Sequence, residues 1–175
     1  MRIVIFFVLL SQMGFAQSNS KPTEVVIFMA TDCPITQKYM HTIRLLAKRY
    51  RKQLTVTGYF PAGINPQAER DFRKEYSVPA LVKLVDDKSH TYTNRLGANI
   101  TPEAFLLDNK GVIIYSGAID NWFFELGRYR PTVTEHYLVD AIEASLKGSV
   151  PAITSTETVG CSIQKSNQKE HLHPH

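Results

Sequence analysis

An apolar segment without interruption, residues 24–30 (EVVIFMA), runs almost directly into the pair Cys33-Pro34, and this junction limits the possible architectures more than any other part of the sequence. Such a run is typical of a central strand that is covered on both faces. Pro34 fits the first turn of a helix, and Thr31 or Asp32 is the predicted N-cap. The sequence therefore predicts a buried strand and a following helix, with a cysteine where they meet.

The rest of the chain alternates strand-like and helix-like segments. The first helix has an apolar stripe at helical spacing, formed by Ile35, Tyr39, Ile43, Leu46 and Tyr50. The later predictions are strands over residues 54–60 and 80–85, helices over 66–76 and 90–96, a strand starting after Pro102, a return strand over 112–115, and a last helix capped by Thr134 and ended by Gly148.

This order predicts an α/β fold with a central mixed β-sheet that is flanked by helices. Asp108-Asn109-Lys110-Gly111 is the predicted hairpin turn, because Gly111 tolerates a positive φ. Residues 117–133 are expected to form a loop whose aromatic side chains fill the core. One domain is predicted over residues 17–148, followed over 149–175 by an extended or mobile tail that carries Cys161.

The N-terminus predicts export. Met1-Arg2 is followed by an uncharged apolar stretch, residues 3–10, and by small residues up to Ala16, as in a secretory signal peptide over residues 1–16. The apolar stretch is far shorter than the roughly 20 residues that span a bilayer. We therefore expect a periplasmic or extracellular protein with no stable membrane insertion after cleavage. The mild net charge of +4 and the exported location argue against a nucleic-acid partner.

Cys33 is a candidate redox nucleophile, because the N–H groups and the dipole at a helix N-terminus favour a thiolate. Asp32 beside it acts in the opposite direction, while Thr36 is placed to donate a hydrogen bond to the sulfur. Cys161 is the other cysteine of the chain. Two cysteines in an oxidising compartment fit either one structural disulfide or a reactive pair, and the sequence leaves both open.

Five short motifs together resemble a known family. They are Asp32-Cys33-Pro34-Ile35, the octet TPEAFLLD at residues 101–108, the pentad GAIDN at 117–121, Arg130-Pro131-Thr132 and Gly160-Cys161-Ser162-Ile163. The chain resembles the thioredoxin superfamily over about residues 23–163. Within it, the chain is similar to the peroxiredoxin-like redoxin group, which is related to alkyl hydroperoxide reductase and thiol-specific antioxidant proteins.

The resemblance implies a thioredoxin-like fold with an inserted strand-helix unit and a cis peptide at Thr101-Pro102, lying against the sulfur of Cys33. It also implies a thiol-dependent oxidoreductase or antioxidant protein. Cys33 would attack a protein disulfide, a small-molecule disulfide or a peroxide, and Cys161 would resolve the intermediate. Thr36, Thr101 and Pro102 would orient the reacting sulfur. The partners would be that substrate and a thiol reductant, with no cofactor and no metal.

Two alternatives remain open at this point. A copper-binding protein of the same fold would use Cys33 and Cys161 with a histidine such as His136, since Cu(I) prefers soft thiolate ligands. A module without catalytic activity would instead hold a structural disulfide between the same two cysteines. The two alternatives and the enzyme share one expectation, namely that the two sulfur atoms can approach each other.

Overall fold

The structure, a computed structural model, describes residues 22–165. In chain order its elements are β1 (Pro22–Phe28), α1 (Pro34–Tyr50), β2 (Thr55–Phe60), α2 (Pro66–Glu75), β3 (Val82–Asp86), α3 (Thr91–Leu96), β4 (Ile100–Thr101), β5 (Glu103–Asp108), β6 (Ile113–Gly117), β7 (Phe123–Glu125), β8 (Arg128–Tyr129), α4 (Tyr137–Leu146) and β9 (Cys161–Ser162). The predicted signal peptide lies outside the described residues. Within residues 22–165, no helix is long and apolar enough to cross a membrane.

The apolar strand β1 lies at the centre of a five-stranded mixed sheet with the order β3-β2-β1-β5-β6. β1 pairs with β2 in parallel, and β2 pairs with β3 in parallel, whereas β5 is antiparallel to both β1 and β6. The strand-helix unit β3-α3 stands between α2 and the short strand β4, and β3 forms one edge of the sheet. The predicted α/β fold with a mixed central sheet is confirmed.

Both faces of β1 are covered, which explains why its sequence is apolar throughout. Val25 and Ile27 belong to the larger core, where the predicted apolar stripe of α1 packs together with α4 and with Phe72 of α2. Val26 and Phe28 point to the opposite face and pack in a second, smaller cluster with Leu96 of α3 and its neighbours. The helices therefore lie on both faces of the sheet, as the strand-helix alternation predicts.

The prediction for the start of α1 was wrong by one or two residues. Cys33 itself is the N-cap, with an extended backbone (φ −80°, ψ 114°), and Pro34 is the first helical residue. A proline disfavours helical geometry in the residue before it, so the helix cannot extend back past Cys33. Neither Thr31 nor Asp32 is the cap, and the cysteine directly precedes the first helical residue.

The hairpin between β5 and β6 forms as predicted. Asp108 Oδ1 accepts hydrogen bonds of 2.8 Å from the backbone N–H groups of Lys110 and Val112. Gly111 has a φ of 76°, a conformation that favours glycine. The strand β5 begins directly after Pro102, which is where a residue without an N–H group belongs.

The segment predicted as a loop contains the short hairpin β7–β8, which the sequence analysis missed. Phe123 is buried, as the core-filling interpretation predicts, whereas Phe124 and Tyr129 are exposed. The helix α4 begins at Tyr137 and not after Thr134. Thr134 is held instead by Asn121, whose side chain donates to its hydroxyl at 2.7 Å and accepts from its N–H at 3.0 Å.

The described part of the tail is extended and attached to the domain at two places. Thr156 donates its backbone N–H to Ser116 on the edge of β6 at 3.1 Å, and its hydroxyl accepts from the N–H of Ala118 at 2.9 Å. Further along, β9 pairs with β4 in antiparallel register, with Thr101 opposite Cys161. This second attachment brings the distant Cys161 back to the domain.

Candidate active site

Cys33 occupies the junction between β1 and α1 with its sulfur turned into the protein. Its carbonyl accepts the first helical hydrogen bond, from Gln37 N at 3.0 Å, while its side chain makes no capping bond to the helix. Only 1% of the residue is exposed. The sulfur is therefore close to the positive end of the helix dipole and shielded from bulk water.

Cys161 covers that sulfur. The Sγ atoms of Cys33 and Cys161 are 2.6 Å apart although the residues are separated by 128 positions, and both are free thiols in this structure. A shift of less than an ångström would bring the two atoms to the disulfide bond length of about 2.05 Å. Cys161 is the more exposed of the two residues. The geometry therefore allows a disulfide to form between the two residues with little movement of the backbone.

Thr101 connects the two cysteines. Its carbonyl oxygen lies 3.1 Å from Cys33 Sγ and accepts a hydrogen bond from that thiol. Its hydroxyl donates to the carbonyl oxygen of Cys161 at 3.3 Å. The peptide bond Thr101-Pro102 is cis, as the resemblance implied, and both residues are buried.

Hydrogen bonds favour the thiolate of Cys33. Burial is the largest single influence and disfavours the charged form, but the thiol of Cys161, the backbone N–H and hydroxyl of Thr36, and the N–H of Ile35 together outweigh it. The pKa of Cys33 therefore lies below its ordinary value. Thr36 is completely buried, and its Oγ1 also accepts a bond from Ala30 N at 3.5 Å.

The pKa of Cys161 moves in the opposite direction. Burial raises it to about 12, helped by the hydrogen bond that this thiol donates to Cys33 and by the negative charges of Cys33 and Asp32. At neutral pH the first sulfur is thus the one favoured to ionise, and the second stays protonated. This division gives the pair one nucleophile and one proton-bearing partner.

All five residues singled out from the sequence, Cys33, Cys161, Thr36, Thr101 and Pro102, lie at this one place. His136 does not join them: it is the exposed N-cap of α4 and has no contact with either sulfur. Among residues 22–165, no group of three or more His, Cys, Asp or Glu side chains is arranged to hold a metal ion. His136 is therefore not placed to act as a third copper ligand beside the two cysteines in this structure.

Two cavities are lined in part by Cys161. One, of about 240 Å³, lies between the start of α1 and the β7–β8 hairpin and is almost entirely apolar. The other, of about 200 Å³, lies between Asp32, Pro61 and the residues that follow Cys161. A further cavity of about 520 Å³ is at the other end of the sheet beside Glu24 and Tyr92, and neither cysteine lines it. Its size does not make it the site of sulfur chemistry.

The sequence analysis quoted one contributor to this site without assigning it a role, and it missed another. Gly160 lets β9 lie flat on β4, and its only sequence signal is that a glycine precedes the cysteine. The turn Leu126-Gly127 forms the tip of the β7–β8 hairpin and borders the apolar cavity. The sequence signal for this hairpin is a glycine with aromatic residues two to four positions away. Gly127 has a φ of 77°, a conformation that favours glycine in a turn.

Similarity to solved structures supports the fold. An uncharacterized conserved protein from Geobacillus kaustophilus superposes with a TM-score of 0.70 at 20% identity, over 85% of this chain and 80% of that chain. A hypothetical protein from Sinorhizobium meliloti gives 0.68 at 24% identity, over 85% and 82%. A thioredoxin-like protein solved in its oxidised form gives 0.54 at 14% identity, over 74% and 80%.

No protein-family model matches the chain. No curated protein matches it either. At these levels of identity the structural similarity establishes the fold alone. The chain has a thioredoxin-like fold, as the sequence resemblance predicted, with the two cysteines at its helix N-terminus and its C-terminal strand.

Proposed function

We propose that this protein is an exported thiol–disulfide oxidoreductase in which Cys33 and Cys161 form the redox pair. The observation that carries the proposal is the 2.6 Å approach of the two sulfur atoms at the N-cap of α1. The opposite directions of their pKa values support it, since one sulfur is favoured as thiolate and the other as thiol. A purely structural bridge needs proximity but has no use for this difference.

The proposed reaction moves two electrons and two protons. The oxidised pair takes them from two substrate thiols and becomes a dithiol, while the substrate sulfurs join in a disulfide. In the reverse direction, the dithiol reduces a substrate disulfide. Each half passes through a mixed disulfide in which one protein sulfur is bound to one substrate sulfur.

Three further residues would hold the pair in place. Thr36 stabilises the thiolate of Cys33 through its N–H and hydroxyl groups. The carbonyl of Thr101 accepts the thiol proton of Cys33 in a hydrogen bond, and Pro102 follows it in the buried turn that leads into β5. These are positioning residues, because they act on the reacting sulfurs through hydrogen bonds and take no electrons themselves.

A peroxide is the second substrate class that the pair supports. The thiolate of Cys33 would attack the peroxide to give a sulfenic acid and release an alcohol or water. Cys161, adjacent to that sulfur, would then displace water and close the disulfide. This antioxidant variant of the proposal rests on the same lowered pKa and the same proximity, and it differs in the substrate that oxidises Cys33.

The experiment that tests the proposal is a redox titration of the protein, prepared from residue 17 onward as expected after cleavage, in glutathione buffers with thiol counting by mass spectrometry. A reversible Cys33–Cys161 couple between about −120 and −270 mV, the range of disulfide catalysts, supports it. A bridge below about −300 mV would show a structural clamp, and two thiols that never pair would also overturn it. Cys33→Ser and Cys161→Ser are the controls.

A parallel measurement separates the two substrate classes. The reduced protein is mixed with hydrogen peroxide or with a small disulfide, and the rate at which the pair closes is followed for each. A rate with peroxide that exceeds that of free cysteine by several orders of magnitude supports the antioxidant variant. A rate close to that of free cysteine leaves thiol–disulfide exchange as the function.

A further inference from the structure

The two sulfurs of the pair differ in accessibility, and the difference decides where a substrate can react. Cys33 is 1% exposed and lies beneath Cys161, whereas Cys161 is partly exposed and borders two surface cavities. A thiolate that approaches the oxidised pair from solvent therefore meets the sulfur of Cys161. To reach Cys33 it would first have to displace β9.

We propose that a substrate thiolate attacks Sγ of Cys161 in the oxidised pair, and that the apolar cavity beside this sulfur binds an apolar side chain next to the attacking cysteine of a polypeptide. This inference rests on the proposed function and adds to it the point of attack and the substrate class. Cys161 therefore faces the substrate, and Cys33 faces the interior of the protein.

The step is balanced. The substrate sulfur forms a new bond to Cys161 Sγ, the bond between Cys161 and Cys33 breaks, and its electron pair leaves with Cys33 as a thiolate. That negative charge is stabilised by hydrogen bonds from the N–H groups of Ile35 and Thr36 and from the Thr36 hydroxyl. A thiol with a lowered pKa is the better leaving group, so the buried sulfur is suited to leave. The thiolate of a second cysteine of the same polypeptide then attacks the substrate sulfur. The bond between that sulfur and Cys161 breaks, its electron pair leaves with Cys161, which takes up a proton from solvent, and the polypeptide keeps the new disulfide.

The apolar cavity is built by two elements that meet at Cys161. The start of α1 contributes Ile35 and Lys38, and the β7–β8 hairpin contributes Phe123, Leu126 and Tyr129. Leu126 is 64% exposed at the tip of that hairpin, so a large apolar side chain faces solvent beside a reactive sulfur. Exposed apolar surface of this kind is where a partner gains affinity by burying its own apolar group.

A positive charge at the rim of the cavity indicates which residue of the peptide follows its apolar side chain. Lys38 is exposed, and its Nζ lies 5.0 Å from the centre of the Tyr129 ring. A carboxylate placed one residue after the apolar side chain would complement this positive charge. The substrate that fits this surface is therefore an extended peptide with the order cysteine, apolar residue, acidic residue, and not a small thiol such as glutathione.

The point of attack is tested with the oxidised, otherwise unmodified protein. It is mixed with the single-cysteine peptide acetyl-Ala-Cys-Leu-Glu-amide, quenched in acid after short times and digested with pepsin, and the adduct is located by mass spectrometry. We expect the first adduct on Cys161. A first adduct on Cys33 would overturn the inference and leave the proposed function intact, provided that the couple titrates reversibly. If no adduct forms and the couple is not reversible, both are wrong.

The cavity is tested by comparing two peptides of equal charge, acetyl-Ala-Cys-Leu-Glu-amide and acetyl-Ala-Cys-Ser-Glu-amide. Each exchange rate is divided by the rate of the same peptide with oxidised glutathione, which removes differences in thiol reactivity. We expect the leucine peptide to react at least about fivefold faster. Leu126→Ser should bring the ratio close to one. Leu45→Ser should keep it, because Leu45 is 55% exposed but does not line this cavity. A ratio near one in the unmodified protein, or one that Leu126→Ser does not change, would overturn the assignment of the cavity.

Discussion

Gly160 lies so close to Thr101 that a Cβ added to the glycine would be 2.2 Å from the Thr101 carbonyl oxygen. Real Cβ atoms do not approach a backbone oxygen to that distance, and the backbone on both sides is held by the β4–β9 pairing. The same carbonyl accepts the hydrogen bond from Cys33. The absence of a side chain at position 160 is therefore a condition for Cys161 to reach Cys33.

We expect Gly160→Ala to push β9 off β4 and to slow closure of the Cys33–Cys161 disulfide by at least about tenfold, because the effective concentration of one sulfur near the other falls. The measurement is the rate of closure of the reduced protein by a small disulfide, followed by thiol trapping. Ser162→Ala is the matched control, since this side chain on the same strand is exposed. Equal closure rates for Gly160→Ala and the unmodified protein would contradict the prediction.

The pKa of Cys33 should rise when either of its side-chain hydrogen-bond donors is removed. In both Cys161→Ala and Thr36→Val the thiolate loses a donor, and in Thr36→Val the cover provided by Cys161 is also unchanged, so the absorbance change at 240 nm that reports ionisation should move to higher pH. Thr36→Ser retains the hydroxyl and should titrate like the unmodified protein. An unchanged titration in both variants would mean that these bonds do not stabilise the thiolate.

The same shift makes the stability of the reduced protein depend on pH. The folded pKa of Cys33 lies below its unfolded value, so its stabilising contribution is complete above the unfolded pKa and is lost as pH falls through the folded pKa. Cys161 acts oppositely: its raised pKa costs stability once pH exceeds the unfolded value. Denaturant titrations of Cys161→Ala should therefore show a smaller loss of stability at alkaline pH than the reduced unmodified protein, while the part that comes from buried tyrosines with raised pKa values remains.

Oxidation of the pair should stabilise the folded chain. Closing a loop between cysteines separated by 128 positions is worth up to about 5 kcal/mol in the chain-entropy treatment, less any strain. Urea unfolding of the oxidised and reduced protein measures the difference. As the control, the reductant should not change the stability of Cys161→Ala. A lower urea midpoint for the oxidised protein than for the reduced protein would contradict the prediction.

The hairpin that borders the apolar cavity depends on a buried hydrogen bond. Tyr39 of α1 donates its hydroxyl to Asp120 Oδ1 at 2.5 Å, and the same oxygen accepts from the N–H of Trp122 at 2.9 Å. Tyr39→Phe leaves a buried carboxylate without this donor and should cost about 1–3 kcal/mol of unfolding free energy. Tyr137→Phe removes a similar bond, to the exposed Glu135, and should cost far less. Equal losses in the two variants would show that burial of Asp120 is irrelevant.

Much of the architecture could be predicted because local signals and tertiary structure agree. The apolar run of β1 requires cover on both faces, the five apolar positions of α1 all face the core, and Asp108 with Gly111 forms a turn that depends on neighbouring residues alone. The position of Cys33 at the end of β1 follows from the same local pattern. For these features the sequence contains the physical cause within a few residues.

Other features depend on contacts between distant residues, and local sequence patterns do not show how those contacts are made. Thr134 has a good capping side chain, but its hydroxyl and N–H are bonded to Asn121, and α4 starts two residues later than predicted, with His136 as its N-cap. The tail has few apolar residues and reads as mobile, yet Thr156 fixes it to the edge of β6. The position of Cys161 over Cys33 likewise depends on the pairing of its backbone with β4.

The pairing of β9 with β4 has a consequence for the behaviour of damaged or truncated chains. A strand with no neighbour exposes unpaired N–H and C=O groups that other chains can join. Proteolysis ahead of residue 160 would uncover the edge of β4 and the thiolate of Cys33 in one event, at one spot on the surface. Aggregation through β4 and unselective reactions of the Cys33 thiol would then begin together. An intact β9 therefore protects the protein both from pairing with other chains and from oxidants.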